Sequence, residues 1–186
     1  MNKIAPRISL LVLMVTPALA IGGPMQEGTS YGGFNFSQLT SDADGISEDA
    51  NPTALIGRLG YFFADQFAIE GRLGTGLSDD TVRVEGFGVV TDVDLELDHL
   101  FGAYLVGHLP LGQAASVYGM LGFTNAKATA STQGFSVTAS DSGLSYGFGA
   151  DVYASERFGL NLEYTQYLDE IGYDVSALSV GAKFMF

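Results

Sequence analysis

The 186-residue chain contains no cysteine and no tryptophan, only five prolines and two histidines, and eight basic residues against 21 acidic ones. The lack of cysteine excludes a disulfide framework and a thiolate metal site. The shortage of lysine and arginine excludes a basic patch of the kind that nucleic-acid phosphates require. Sustained helical periodicity is also missing, and a period of two recurs in its place. What the chain has in quantity is glycine, at 25 residues, together with nine tyrosines and 13 phenylalanines. That is a composition of strands and tight turns. At this length one domain is expected.

The first twenty residues have the layout of a secretory signal peptide. Lys3 and Arg7 give a positive start, ISLLVLMV forms a short apolar core, Thr16 and Pro17 interrupt it, and ALA ends at Ala20 before IGG. A membrane-spanning helix would need roughly 20 apolar residues, well beyond this core. The expected organisation is therefore a signal peptide over residues 1–20 and one domain over residues 21–186. Removal of Lys3 and Arg7 leaves six basic residues against 21 acidic ones, so the net charge moves from −13 to −15.

Alternation is plain along the rest of the chain. Leu178, Val180, Ala182, Phe184 and Phe186 fall on one face of the last segment, and Ala177, Ser179, Gly181, Lys183 and Met185 on the other. Phe158, Leu160, Leu162 and Tyr164 oppose Gly159, Asn161, Glu163 and Thr165 in the same way. Leu144, Tyr146, Phe148 and Val152 oppose Ser145, Gly147, Gly149 and Asp151, while Leu59, Tyr61 and Phe63 oppose Arg58 and Gly60. Such segments number about eight by strand and hairpin spacing. They lie near 29–38, 53–64, 67–78, 93–108, 115–130, 141–154, 158–168 and 175–186. Short connections at 64–66, 110–115 and 155–157 alternate with longer, acidic ones at 39–52, 79–92, 131–140 and 169–174. Short turns on one rim and longer loops on the other predict an all-β, eight-stranded antiparallel up-and-down transmembrane β-barrel.

Alternation alone suits a soluble ligand-binding barrel equally well, with its apolar face turned inward. Charge balance separates the two. The mid-strand polar face carries Arg58, Arg72 and Lys183 against Glu70, Asp151 and Glu163, an even balance in a strongly acidic chain. A solvated outer wall would share the acidic excess, whereas a narrow lumen tolerates only paired charges. These six residues are expected to form a lumen ion-pair network. Glu96 and Asp98 in the fourth strand have no obvious basic partner, so that end is expected to project beyond the membrane. Phe63, Phe67 and Phe158 flank the short turns and, with Phe186, are expected to form an aromatic girdle in lipid and headgroups.

The closing SVGAKFMF resembles the C-terminal β-signal of bacterial outer-membrane barrels, with Ser179, then Gly181, then Phe184 and Phe186 at the third-last and last places. With the signal peptide and strand rhythm, the whole mature chain is similar to the small "porin family", OmpA- and OmpX-like and opacity-type outer-membrane barrels. The resemblance implies recognition of that segment by the barrel-assembly machinery, contact with outer-membrane lipid and lipopolysaccharide, and an extracellular ligand or surface of unknown identity. It also implies a structural or surface-interaction role, in envelope integrity or adhesion. OmpA proper continues into a peptidoglycan-binding domain where this chain stops, so wall anchoring is not expected.

Other constellations give weaker readings. SDADGISEDAN, residues 41–51, gathers Asp42, Asp44, Glu48 and Asp49 around Gly45, but lacks the third early ligand and the later glutamate of a calcium hand, and reads as a solvated acidic loop. His99 and His108 lie nine residues apart and so on opposite faces of a regular strand, where they cannot share a metal. No catalytic triad order is recoverable around either, and both read as interfacial or loop-proximal. GFGVV at 86–90 lacks a third glycine and a following helix for a nucleotide fingerprint. No cofactor, metal, nucleic-acid partner or catalytic activity is expected. A narrow channel for small solutes or ions, and less strongly a lipid-modifying enzyme, are the competing readings.

Overall fold

The computed structural model describes residues 25–43, 52–78, 80–86, 89–132, 135–170 and 173–186. The expected signal peptide and residues 44–51 of the acidic segment lie outside the described residues. Nine strands follow in chain order: β1 (Ser30–Ala43), β2 (Thr53–Ala64), β3 (Phe67–Ser78), β4 (Asp80–Gly86), β5 (Val89–Pro110), β6 (Ala115–Thr132), β7 (Phe135–Tyr153), β8 (Phe158–Glu170) and β9 (Tyr173–Met185). β3 and β4 pair with successive stretches of the same neighbour, β5, and so form one stave in two segments. Every pairing is antiparallel, each stave lies beside the next in sequence, and β1 closes on β9. The result is a closed eight-staved up-and-down barrel.

The period of two decides which way each side chain points, because successive residues of a strand face opposite sides of the sheet. Along β2 and β3 burial alternates residue by residue. The greasy side chains point outward: Leu59 is 63% exposed, Leu73 66%, Phe123 68% and Phe148 65%. Arg72, Glu163 and Lys183 are 0–1% exposed. A soluble carrier would show the reverse, so the apolar wall faces lipid. β2 and β3, at 12 residues each, exceed the roughly 9–11 that a tilted strand needs to cross the hydrocarbon core.

The last residue is tied into this wall. Phe186 N–H donates to the Ser30 carbonyl at 2.9 Å, and Ser30 N–H donates to the Phe186 carbonyl at 3.1 Å. An aromatic C-terminus is thus set in the closing seam against lipid instead of water. At the same end lie the short turns, including Gln66, which takes φ 69°. On the lumen side, glycine makes room for rings crossing from neighbouring strands. A Cβ at Gly60 would fall inside the Tyr31 ring, so only glycine lets that ring lie flat across β2.

Two expected connections are corrected. Residues 79–92, read as an acidic loop, contain β4 and the start of β5, and residues 131–140 contain the end of β6 and the start of β7. The fourth and fifth strands of the sequence reading begin or run beyond their expected limits for the same reason. Shorter extensions occur where β1 reaches Ala43 and where β8 and β9 pair through Asp169 and Asp174.

Candidate functional site

Arg58 and Arg72 are direct cross-strand partners on β2 and β3. Like charges so placed repel. Two carboxylates relieve the clash. Glu70, two residues before Arg72 on the same face, accepts from Arg58 Nη2 at 2.8 Å and Nε at 3.1 Å through Oε2, and from Arg72 Nε at 2.7 Å through Oε1. Glu163 arrives from β8 on the far wall and takes a two-pronged bond from Arg72, Nη1 to Oε1 at 2.6 Å and Nη2 to Oε2 at 2.8 Å. Arg58 Nη1 lies 3.5 Å from Glu163 Oε2. A planar guanidinium suits such paired recognition, and here it forms a strut from β3 to β8 across the lumen.

Polar and aromatic neighbours complete the network. Tyr31 donates its hydroxyl to Glu70 Oε2 at 2.5 Å, and Tyr118 donates to Glu163 Oε2 at 2.8 Å. Thr165 donates to Glu163 Oε1 at 3.0 Å. With its amide oriented to satisfy both ends, Asn161 accepts from Arg58 Nη1 at 3.1 Å and donates to Asn35 Oδ1 at 3.2 Å. A second ion pair joins Lys183 Nζ to Asp151 Oδ2 at 2.6 Å, and the same oxygen accepts from Tyr153 at 3.0 Å and Ser116 at 3.2 Å. Lys183 stands 4.8 Å from the Tyr31 ring centre and 5.3 Å from that of Tyr118, within cation–π range. On the strand-rich side of this layer, Tyr104 bonds Thr124, and Ser145 donates to the Tyr167 carbonyl. All six charged residues singled out in the sequence lie in this buried ion-pair network.

His108 corrects an expectation. It is not interfacial but buried in the lumen, between the rings of Phe62 at 5.4 Å and Tyr118 at 5.1 Å, with Nδ1 3.6 Å from Asp151 Oδ2. His99 is exposed on the outer wall, so the two histidines do occupy opposite faces. Tyr31, Tyr118, Asn35 and Asn161 were not singled out beforehand. Only Asn161 carried a direct signal, since it shares its strand phase with Glu163 on β8; the other three lie on β1 and β6, which have no charged residue in the lumen phase. Asp98, expected to lack a basic partner, sits at an irregularity in the β5–β6 ladder and accepts from Thr129 at 2.9 Å.

The remaining candidates divide by place. Phe63, Phe67 and Phe186 are exposed on the outer wall, and Phe158 packs its ring 5.0 Å from Phe184. Ser179 faces the lumen and shares a 2.8 Å hydroxyl contact with Ser37, while Gly181 is buried against the Asn35 and Asn161 side chains. Among the described residues, no group of three or more acidic, histidine or cysteine side chains is placed to hold a metal ion.

An apolar wall around a buried, charge-paired interior defines an integral outer-membrane β-barrel. The chain matches the family described as "Outer membrane protein beta-barrel domain" over residues 8–186 and belongs to it; its location is the bacterial outer membrane. Among solved structures it is similar to Ail, the attachment invasion locus protein of Yersinia pestis, at 24% identity and TM-score 0.63, over 87% of this chain and 100% of that one. Neisserial surface protein A is similar at 15% identity and TM-score 0.62, over 86% and 100%. OprG from Pseudomonas aeruginosa is similar at 16% identity and TM-score 0.60, over 89% and 99%. These likenesses concern the fold. No curated protein sequence matches the chain.

Proposed function

We propose that this barrel is a surface-interaction protein whose lumen is plugged and whose working surface is the set of strands standing above the membrane. The observation that carries the reading is the uneven height of the wall. β5, β6 and β7 run for 22, 18 and 19 residues, far more than a crossing requires. The upper part of β7, up to Ser145, pairs with β6 alone, because β8 joins only from Tyr146 onward. β4 pairs with β5 alone. A four-stranded sheet therefore rises from one side of the barrel with a free edge at each margin, among the described residues. Residues 136–142 are exposed on both faces, so no core covers the sheet. Unpaired strand edges are templates for another chain, and extended segments add to them through backbone hydrogen bonds.

Ail has also been solved in complex with the heparin analogue sucrose octasulfate. A mature chain of net −15 disfavours a polyanion on its crown, so an uncharged or cationic extracellular partner suits this barrel better. Phe63, Phe67, Phe158 and Phe186 serve on this reading as the girdle that holds the barrel at its periplasmic rim. The plug rests on the cross-lumen struts, since eight strands enclose little more than the side chains that fill them.

The test is a trimmed variant in which residues 80–95 and 130–141 are replaced by short turns. Heat-modifiable migration on gels should persist, while retention of expressing cells on immobilised matrix protein and on polystyrene should fall to the level of cells lacking the protein. Retention equal to that of the full-length protein would overturn the reading.

A further inference from the structure

The six basic residues outside the expected signal peptide are not spread evenly. Arg58, Arg72 and Lys183 are spent inside the lumen, Arg83 lies on the protruding β4 opposite Asp92, and Arg157 lies in a short turn. Lys127 stands on β6 directly opposite His99 of β5. His99 is exposed and Lys127 half-buried, and both follow the outward phase of their strands. Directly below them the outward residues turn apolar, at Phe101 on β5 and, after Asn125, Phe123 on β6. The pair therefore sits where the hydrocarbon band ends. On β1, β2, β3 and β9 the outward residues at this boundary are Gln38, Thr53, Thr75 and Ser176, all uncharged.

Two nearby carboxylates among the described side chains are already engaged. Asp98 accepts from Thr129, and Asp141 Oδ1 accepts from the Ser142 N–H at 2.7 Å. Among the described side chains, none forms an ion pair with Lys127. Beneath the pair, a groove of about 1160 Å³ crosses the lipid-facing wall. Its floor is Gly71 and Ala103, cross-strand partners, and its sides are built by Leu73, Phe101, Leu105 and Phe123. A side chain at Gly71 would meet nothing nearer than the Leu59 carbonyl at 4.0 Å, so the floor is open outward. From His99 to Ala103 is about 13 Å along the strand, which a lipid spans between its phosphate and the upper part of an acyl chain.

We propose that this wall holds one phosphorylated lipid of the outer leaflet, with its phosphate against Lys127 and His99 and an acyl chain in the groove over Gly71 and Ala103. Charge selects the occupant. The acidic chain repels an anionic leaflet over most of its rim, and this is a place where a cation meets the headgroup level directly above an apolar recess. A lysine there extends its stem along the apolar surface and presents its ammonium to the phosphate.

The chain's lack of tryptophan supplies the test. Phe101→Trp places a reporter at the head of the groove, and Val180→Trp places one on β9 across the barrel. Each full-length variant is reconstituted in phosphatidylcholine vesicles containing a minority of phosphatidylglycerol, with bromine on the chains of one lipid or the other. Brominated phosphatidylglycerol should quench Phe101→Trp beyond its mole fraction by about fivefold, the size one lysine supplies beside an anionic headgroup. It should quench Val180→Trp in proportion to its mole fraction. Adding Lys127→Gln to Phe101→Trp should remove the excess, and adding Lys127→Arg should keep it, with heat-modifiable migration confirming that each variant is folded. Quenching at Phe101→Trp that follows bulk composition, or an excess that Lys127→Gln leaves intact, would overturn the proposal.

Discussion

Glu163 receives donors from strands on both sides of the barrel: Arg72 on β3, Arg58 on β2, Tyr118 on β6 and Thr165 on its own strand. A carboxylate so placed compensates two guanidinium groups that have no water to turn to. Glu163→Gln should therefore cost about 3–5 kcal/mol, the loss typical of a buried charge stripped of its partner. The check is the urea midpoint of the folded, heat-modifiable band, which should fall well below that of the parent. An unchanged midpoint would mean that solvent reaches the guanidinium groups and that the network is not sealed. The charged members of this site were legible in the sequence, because an ionised side chain in the middle of a greasy strand must be paired. The tyrosines were not, since a ring that alternates with leucine fits a lipid-facing wall as well as a lumen, and only strand phase distinguishes Tyr31 or Tyr118 from Tyr61.

Among the elements, β9 is the eighth stave, pairing with β1 on one side and β8 on the other, and it carries most of the residues that resemble the assembly signal. Phe186, just beyond it, is locked to Ser30 by two backbone bonds. If SVGAKFMF is read during assembly, Phe186→Ala should slow insertion and reduce the heat-modifiable fraction in outer-membrane preparations, while the folded fraction keeps a near-parental urea midpoint because the backbone bonds survive. Equal insertion rates would remove the assembly role from Phe186. The bounds of β2 and β3 were legible to the residue, since alternation there is unbroken and Ala64 to Gln66 make a short turn. β4 and the upper ends of β5 to β7 were not. Residues 136–142 face water on both sides, so no apolar face marks the period, and the irregularity between Leu97 and His99 breaks the phase of β5. Acidic residues at 79–92 completed the disguise, because a charged stretch in an exposed strand looks like a loop.

For the whole molecule, burial and charge are arranged as the inverse of a water-soluble barrel. The exposed wall is leucine and phenylalanine, the interior is a balanced set of ions, and the acidic excess lies toward the end that rises above the membrane. The central claim is that cross-lumen ion pairs close this barrel to solutes and leave its protruding sheet to act. Conductance of the purified protein in planar bilayers at neutral pH tests it most directly. Wild-type barrels should show no steady open level across the membrane, whereas steady single-channel steps would contradict the account.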